Sequence, residues 1–217
     1  MTLIEFDKAQ NCNKMLIGVD EAGRGPLAGP VTACACYIPP ELYMHPLMSK
    51  INDSKKLTPQ KREEIFNELL TLPIIYCTGY ASAQEIDKLN ILQATFLAMR
   101  RALTKFKGQE ISVLIDGNKI IPNLTALQKA IVKGDGTSLC VATASIIAKV
   151  SRDKFMTLCA QKYPEYKFEE HKGYGTKTHT DLIDKYGPCP LHRKTFEPIY
   201  SKFYGLFAEH AMGAKDV

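Results

Sequence analysis

Four acidic residues stand where apolar segments end. Asp20 and Glu21 follow the run from Met15 to Val19, Asp116 follows Ile111 to Ile115, and Asp135 lies shortly after Ala130 to Val132. Open α/β sheets gather ligand sites at the carboxyl ends of their strands, so these four carboxylates could converge. Converging carboxylates repel one another and are tolerated when a divalent cation neutralises them. An all-oxygen set suits Mg²⁺ or Mn²⁺ and disfavours zinc. Two such ions about 3.5–4 Å apart activate a water and stabilise the leaving oxygen of an in-line phosphoryl displacement, which is nuclease chemistry. Spacing alone leaves a second reading open, because Asp116-Gly117 and Asp135-Gly136 are DG pairs that also mark tight turns. The adjacent Asp20-Glu21 pair is the stronger signal, since burying two acids beside an apolar strand is costly without a counter-charge. Neighbours in a continuing strand face opposite ways, so these two are expected to share a site only if the strand ends at them, in the glycine-rich turn that follows.

The elements that must position these acids can be read from periodicity and punctuation. Met15 to Val19 and Val31 to Tyr37 flank the loop EAGRGPLAGP and read as strand, loop, strand; so short a connection favours an antiparallel hairpin. Thr58 before Pro59 is an N-cap with proline in the first turn, predicting a helix to about Leu72. Ile74 to Tyr80 is a third strand candidate. Leu92, Phe96, Met99, Leu103 and Phe106 form an amphipathic helical stripe, with Arg100, Arg101 and Lys105 off it. Ile111 to Ile115 and Ala130 to Val132 are two further strands. A long helix from about Ser138 to Tyr163 follows, then a polar stretch, a short helix over TDLIDKYG, the turn CPLHRK and an aromatic tail. The expectation is an α/β fold with a mixed five-stranded sheet flanked by helices, residues 1–163 forming the core and 164–217 a C-terminal helical appendage.

Composition narrows the function classes. The 217 residues are 45% hydrophobic, ample for a packed core, and the net charge of +5 tolerates a nucleic-acid partner without requiring one. Seven cysteines include no CxxC pair, which argues against a zinc ribbon or a disulfide framework and for reduced thiols. Cys34 and Cys36 should share one strand face. No stretch reaches the roughly 20 apolar residues of a membrane span. A cytoplasmic, soluble, monomeric protein is expected. The loop GRGPLAG is not followed by GK[ST], so the Walker pattern of a nucleotide-binding phosphotransferase is absent. His45, His179, His192 and His210 show no metal-ligand spacing and are expected to be structural or surface residues.

Longer blocks carry a resemblance. GVDEAGRGPLAGPV (18–31), DSKKLTP (53–59), IDGN (115–118), KGD (133–135), ATASIIAKVSRD (142–153) and HKGYGT (171–176), with CPLHRKTF (189–196), resemble ribonuclease HII in order and cover most of the chain. The resemblance implies the ribonuclease H-like fold, an RNA–DNA hybrid or a duplex DNA containing ribonucleotides as substrate, and cleavage leaving a 3′-hydroxyl and a 5′-phosphate. It further implies a role in removing ribonucleotides and RNA primers from DNA. Asp20, Glu21 and Asp116 are implied as ligands of Mn²⁺ or Mg²⁺, with Asp135 assisting the second ion or the attacking water. With 17 residues before the first block, type 2 is expected in preference to type 3, whose enzymes carry a sizeable N-terminal domain. ATASI, where small-residue runs such as AAASI are usual, is a departure at Thr143 expected to affect packing alone.

The same resemblance assigns two of the substrate contacts, and residue spacing suggests others. Distinguishing RNA from DNA requires sensing a 2′-hydroxyl. Gly23, Arg24 and Gly25 match the backbone reader of that group, glycine allowing close approach. Tyr174 matches a tyrosine implied to stack on the deoxyribose after the ribonucleotide, favouring RNA-to-DNA junctions, with cations nearby that can meet phosphate. On the long helix Ser145, Lys149 and Arg152, spaced four and three apart, share one face that could line the phosphate path. Lys55 and Lys56 invite the same reading. A non-catalytic hybrid-binding module is the competing class; it would keep Tyr174 and the basic face while the acids were free to vary.

Overall fold

The computed structural model describes residues 1–10, 13–51 and 57–205. In chain order it comprises α1 (Leu3–Ala9), β1 (Met15–Ala22), β2 (Val31–Tyr37), α2 (Pro59–Leu69), β3 (Ile75–Ala81), α3 (Ala83–Leu89), α4 (Ile91–Leu103), β4 (Ile111–Asp116), β5 (Leu127–Ile131), α5 (Leu139–Lys162), α6 (Phe168–His171) and α7 (Lys177–Tyr186). The strands form one five-stranded sheet in the order β3-β2-β1-β4-β5. β1 pairs antiparallel with β2, and β2 with β3, whereas β1–β4 and β4–β5 are parallel. The mixed sheet expected from the short β1–β2 loop is therefore present.

Helices cover both faces of this sheet. Cys34, Cys36, Leu16 and Leu114 turn towards α5 and α2, joined by Ile65, Leu69, Ile146 and Ile147. Ile17, Val19, Ala33, Ala35, Val113 and Ile115 turn the other way, towards Ala94, Phe96, Ala98 and Met99 of α4. Alternation along strands buried on both faces explains why β1, β2 and β4 read as continuous apolar runs. α5 lies against β1 so closely that a Cβ on Gly18 would sit 2.1 Å from the Cys140 carbonyl carbon. Its first turn is capped twice: Ser138 Oγ accepts from Val141 N at 3.3 Å, and Asp7 Oδ2 of α1 accepts from Cys140 N at 2.9 Å. A carboxylate there also opposes the positive end of the helix dipole.

Residues 164–205 pack on the second half of α5. Tyr166, Phe168, Ile183 and Ile199 bury themselves against Met156 and Ala160 and against Leu27 and Ala28 of the loop after β1. Three expectations need correction. The helix beginning at Thr58 ends at Leu69, short of Leu72. The fifth strand is Leu127–Ile131, where the apolar signal pointed to Ala130 to Val132, because LQKAI is a half-exposed edge strand with little apolar content. β1 does not stop at Asp20-Glu21 but stays paired with β2 through Ala22. Among the described residues no helix is long and apolar enough to cross a membrane.

Candidate active site

β1 and β4 run parallel with Val19 opposite Ile115, so the next step brings Asp20 alongside Asp116, the last residue of β4. Glu21 lies one position further, where β4 offers no neighbour, and it borders open space on both sides of the sheet end. Asp20, Glu21 and Asp116 thereby line one cavity of about 270 Å³, together with Gly23, Arg24, Arg62, Ser145, Lys149 and Tyr174. The absence of a β4 neighbour beyond Asp116 thus replaces the strand end that the sequence led us to expect.

The acids are held in specific ways. Asp20 is buried, its Oδ1 accepting from Glu21 N at 2.6 Å, and the Ser145 hydroxyl bonds to the same carboxyl group. Its carboxyl lies well above the usual carboxylate range, first because it is buried and then because Glu21 and Asp116 repel its charge. Asp116 Oδ1 accepts from Gly134 N at 2.7 Å, which ties the end of β4 to the turn Gly134–Gly136. Asp135 sits buried on that turn but does not line the cavity. Arg24, half exposed, pairs with Glu21 Oε1 at 3.3 Å.

These residues suit a divalent cation in donor type: three carboxylates border one cavity, and burial together with repulsion from Glu21 and Asp116 disfavours the anionic form of Asp20. Among the described residues no three acidic, histidine or cysteine side chains are already gathered around a single point.

The loop after β1 and the C-terminal segment form the remaining walls. Gly23 has φ +93°, and a Cβ there would overlap the Arg152 side chain; Gly25 has open space around it, leaving room for a ligand. The loop's carbonyls are pinned by Arg193, which donates Nη1 to Arg24 O at 2.7 Å, Nη2 to Gly23 O and Gly29 O, and Nε to Gly29 O. Arg152 donates to Pro30 O, Lys172 O and Ala28 O. Both guanidiniums are fully buried. Arg152 is therefore corrected from a phosphate contact to an internal brace; its helix turn is covered by the residue 171–174 loop.

Lys149 stays at the cavity, 2.9 Å from Asp153 Oδ1 and 5.2 Å from the centre of the Tyr174 ring. Tyr174 is 40% exposed, enough to offer its ring to a ligand. Lys55 and Lys56 lie outside the described residues. Sequence reasoning missed Arg62, which reads as one more cation in KREE yet turns inward to the cavity and donates Nη2 to Leu57 O at 2.9 Å. It also missed Arg193, because nothing local marks an arginine as buried.

Proteins similar to this chain are found among both sequences and solved structures. The family model described as Ribonuclease HII matches residues 17–199. Ribonuclease HII of Caldicellulosiruptor bescii is 50% identical over 183 residues, covering 84% of this chain and 86% of that protein. The crystal structure of ribonuclease H2 from Pyrococcus horikoshii superposes with a TM-score of 0.66 at 28% identity, covering 86% of this chain and 95% of that one. The structure of Bst ribonuclease HIII in complex with Mn²⁺ has the same fold, with a TM-score of 0.68 at 15% identity, over 88% of this chain and 70% of that one. A match over so much of the sequence, on a sheet that sets three acids in one cavity, leaves one assignment: the chain belongs to the ribonuclease HII family, metal-dependent endonucleases of the ribonuclease H class.

Proposed function

We propose that the enzyme hydrolyses the RNA strand of RNA–DNA hybrids and incises on the 5′ side of single ribonucleotides embedded in duplex DNA. The observation that carries this reading is the shared cavity: Asp20, Glu21 and Asp116 on one wall, the Gly23–Arg24 backbone and the Tyr174 ring on the others. A phosphodiester and the sugars on either side of it can then be addressed together. Asp20, Glu21 and Asp116 would hold the divalent ions; Bst ribonuclease HIII, solved with Mn²⁺, supports such a site on this fold. When bound, two ions of Mn²⁺ or Mg²⁺ neutralise the phosphate and promote ionisation of the attacking water.

The chain's own residues supply the positioning. The Gly134 amide and the Ser145 hydroxyl fix the carboxylates of Asp116 and Asp20, and Arg24 restrains Glu21. Asp135, buried beside Gly134 and outside the cavity lining, would have to move with its turn to assist the second ion or the attacking water. Water oxygen bonds to phosphorus, the bond from phosphorus to the 3′ oxygen breaks, and the proton given up by water ends on that oxygen. The products are a 3′-hydroxyl and a 5′-phosphate. Gly23, Arg24 and Gly25 read the 2′-hydroxyl, Tyr174 stacks on the following deoxyribose, and Lys149, with Lys55 and Lys56, meets the phosphates.

The test is incubation with a duplex DNA bearing one ribonucleotide, with Mn²⁺, Mg²⁺ or a chelator, the cut mapped at nucleotide resolution. Metal-dependent incision 5′ to the ribonucleotide is expected. Cleavage of continuous RNA tracts alone would overturn the junction reading. Binding without any cleavage would make the protein a hybrid-binding module.

A further inference from the structure

Behind Tyr174 lie three buried histidines that the chemistry above does not use: His171, His179 and His192. His171 and His179 stack with ring centres 4.2 Å apart, and His179 Nε2 is 3.0 Å from His192 Nε2. The backbone groups around them determine where each proton sits. Cys189 N donates to His192 Nδ1 at 2.9 Å, so His192 carries its proton on Nε2 and donates to His179 Nε2. His179 must then carry its proton on Nδ1, which faces Tyr174 O at 2.8 Å. Gly173 N donates to His171 Nδ1, so His171 donates from Nε2 to Tyr166 O. A further proton on any ring would set two N–H groups face to face.

The chain of donors runs from Cys189 through His192 and His179 to the carbonyl of Tyr174, while the Tyr174 amide donates to His171 O at 2.9 Å. The same C-terminal turn holds the other wall of the cavity. Ala28 is bridged to His192, Arg193 N donates to Leu27 O, and Leu27 N donates to Gly173 O. Phe168 packs against all three rings, and the charged or titratable neighbours are Tyr166, Cys189, Glu169, Glu170 and Lys172.

We propose that His179 and His192 are positioning residues, a hydrogen-bond relay that fixes the backbone of Tyr174 relative to the Gly23–Gly25 loop and so sets the preference for RNA-to-DNA junctions. The inference rests on the reading of Tyr174 as the junction contact. Neither histidine touches the cavity that holds the acids, so losing the relay should cost selectivity and spare cleavage of a continuous hybrid.

The experiment compares kcat/KM on a duplex carrying one ribonucleotide with kcat/KM on a continuous RNA–DNA hybrid, for the full chain and for His192→Leu, His192→Gln, Tyr174→Ala and the double variant His192→Leu/Tyr174→Ala. Glutamine can still place an N–H at the position of Nε2. The proposal expects His192→Leu to lower the ratio about tenfold, the order of a distorted sugar contact. It expects His192→Gln to restore most of that ratio, and the double variant to fall no further than Tyr174→Ala. If Tyr174→Ala lowers the ratio and His192→Leu does not, the relay is overturned and the Tyr174 reading stands. If Tyr174→Ala leaves the ratio unchanged, the reading beneath the proposal is what fails. Should His192→Leu not fold, the imidazole ¹⁵N spectrum of the unaltered protein decides: a proton on His179 Nδ1 at neutral pH supports the relay, and one on Nε2 overturns it.

Discussion

Asp20 shows how a residue proposed to act in catalysis conflicts with stability. Its carboxylate is buried beside two other acids, so the metal-free protein carries an electrostatic penalty that a divalent ion would relieve. Asp20→Asn should therefore raise the stability of the metal-free protein, by about 1–2 kcal/mol, while reducing cleavage at least about a thousandfold. Millimolar Mn²⁺ should raise the melting temperature of the original protein and leave that of the variant almost unmoved, since only a state that binds the ion is stabilised by it. An equal metal shift in both proteins would remove Asp20 from the ligand set. Lys149 and Arg152 separate in the same manner. Lys149→Ala should weaken hybrid binding and reduce the salt slope by about one counterion, the loss expected if this half-buried lysine meets a phosphate as proposed. Arg152→Lys should instead cost about 3 kcal/mol of folding stability, as three buried carbonyls lose a planar donor, shown by a lower urea midpoint. A normal midpoint with weakened binding would return Arg152 to the phosphate path.

Among the elements, α5 and β1 decide where the acids meet, and Gly18 decides how close those two lie. Alanine at 18 would place its methyl carbon 2.1 Å from the Cys140 backbone, so α5 must lift away, carrying Ser145 from Asp20. Gly18→Ala should cost about 3 kcal/mol, the upper end of overpacking, with kcat falling as well; urea unfolding and steady-state rates on one hybrid check both, and an unchanged midpoint would show that the contact yields freely. The strands that build the centre were legible because burial on both faces leaves them almost wholly apolar, as with β1, β2 and β4. β5 was blurred for the opposite reason: edge exposure lets Gln128 and Lys129 in, and only its end looks like a strand. α1 and α3 are seven residues each, too short for a stripe to show. The acids and the glycine loop could be found because blocks of sequence carry them. The pairing of His179 with His192, by contrast, has no spacing to read, since it exists only once α7 and the C-terminal turn fold against each other.

The whole molecule joins a sheet whose active end is crowded with acids to a C-terminal segment whose interior holds neutral histidines, and the two respond to acid with opposite signs. Burial lowers His179 to about 4 and His192 to about 3, and pushes His171 down as well, from an ordinary value of 6.5. The unfolded chain takes up these protons near pH 6.5 and the folded one does not, so the cluster's contribution is complete above that pH and is lost as pH falls towards 4. For His179 alone the loss by pH 4 is on the order of 3 kcal/mol. Asp20 and Asp7 are displaced upwards, so their protonation favours the folded state over part of the same range. Glu85, held at about 2 first by its bond with Arg101, gives up its stabilisation as pH falls from its ordinary value of 4.5 towards 2, below most of the histidine interval. The histidine share is therefore a difference between two proteins, in which the carboxylates cancel. Urea unfolding from pH 7.5 to 4.5 should show His192→Gln losing less stability with acid than the unaltered chain, and parallel curves would mean that the rings take up protons while the segment stays folded. Because that segment braces both the glycine loop and Tyr174, hybrid recognition should weaken over the same pH interval, ahead of any loss of the sheet.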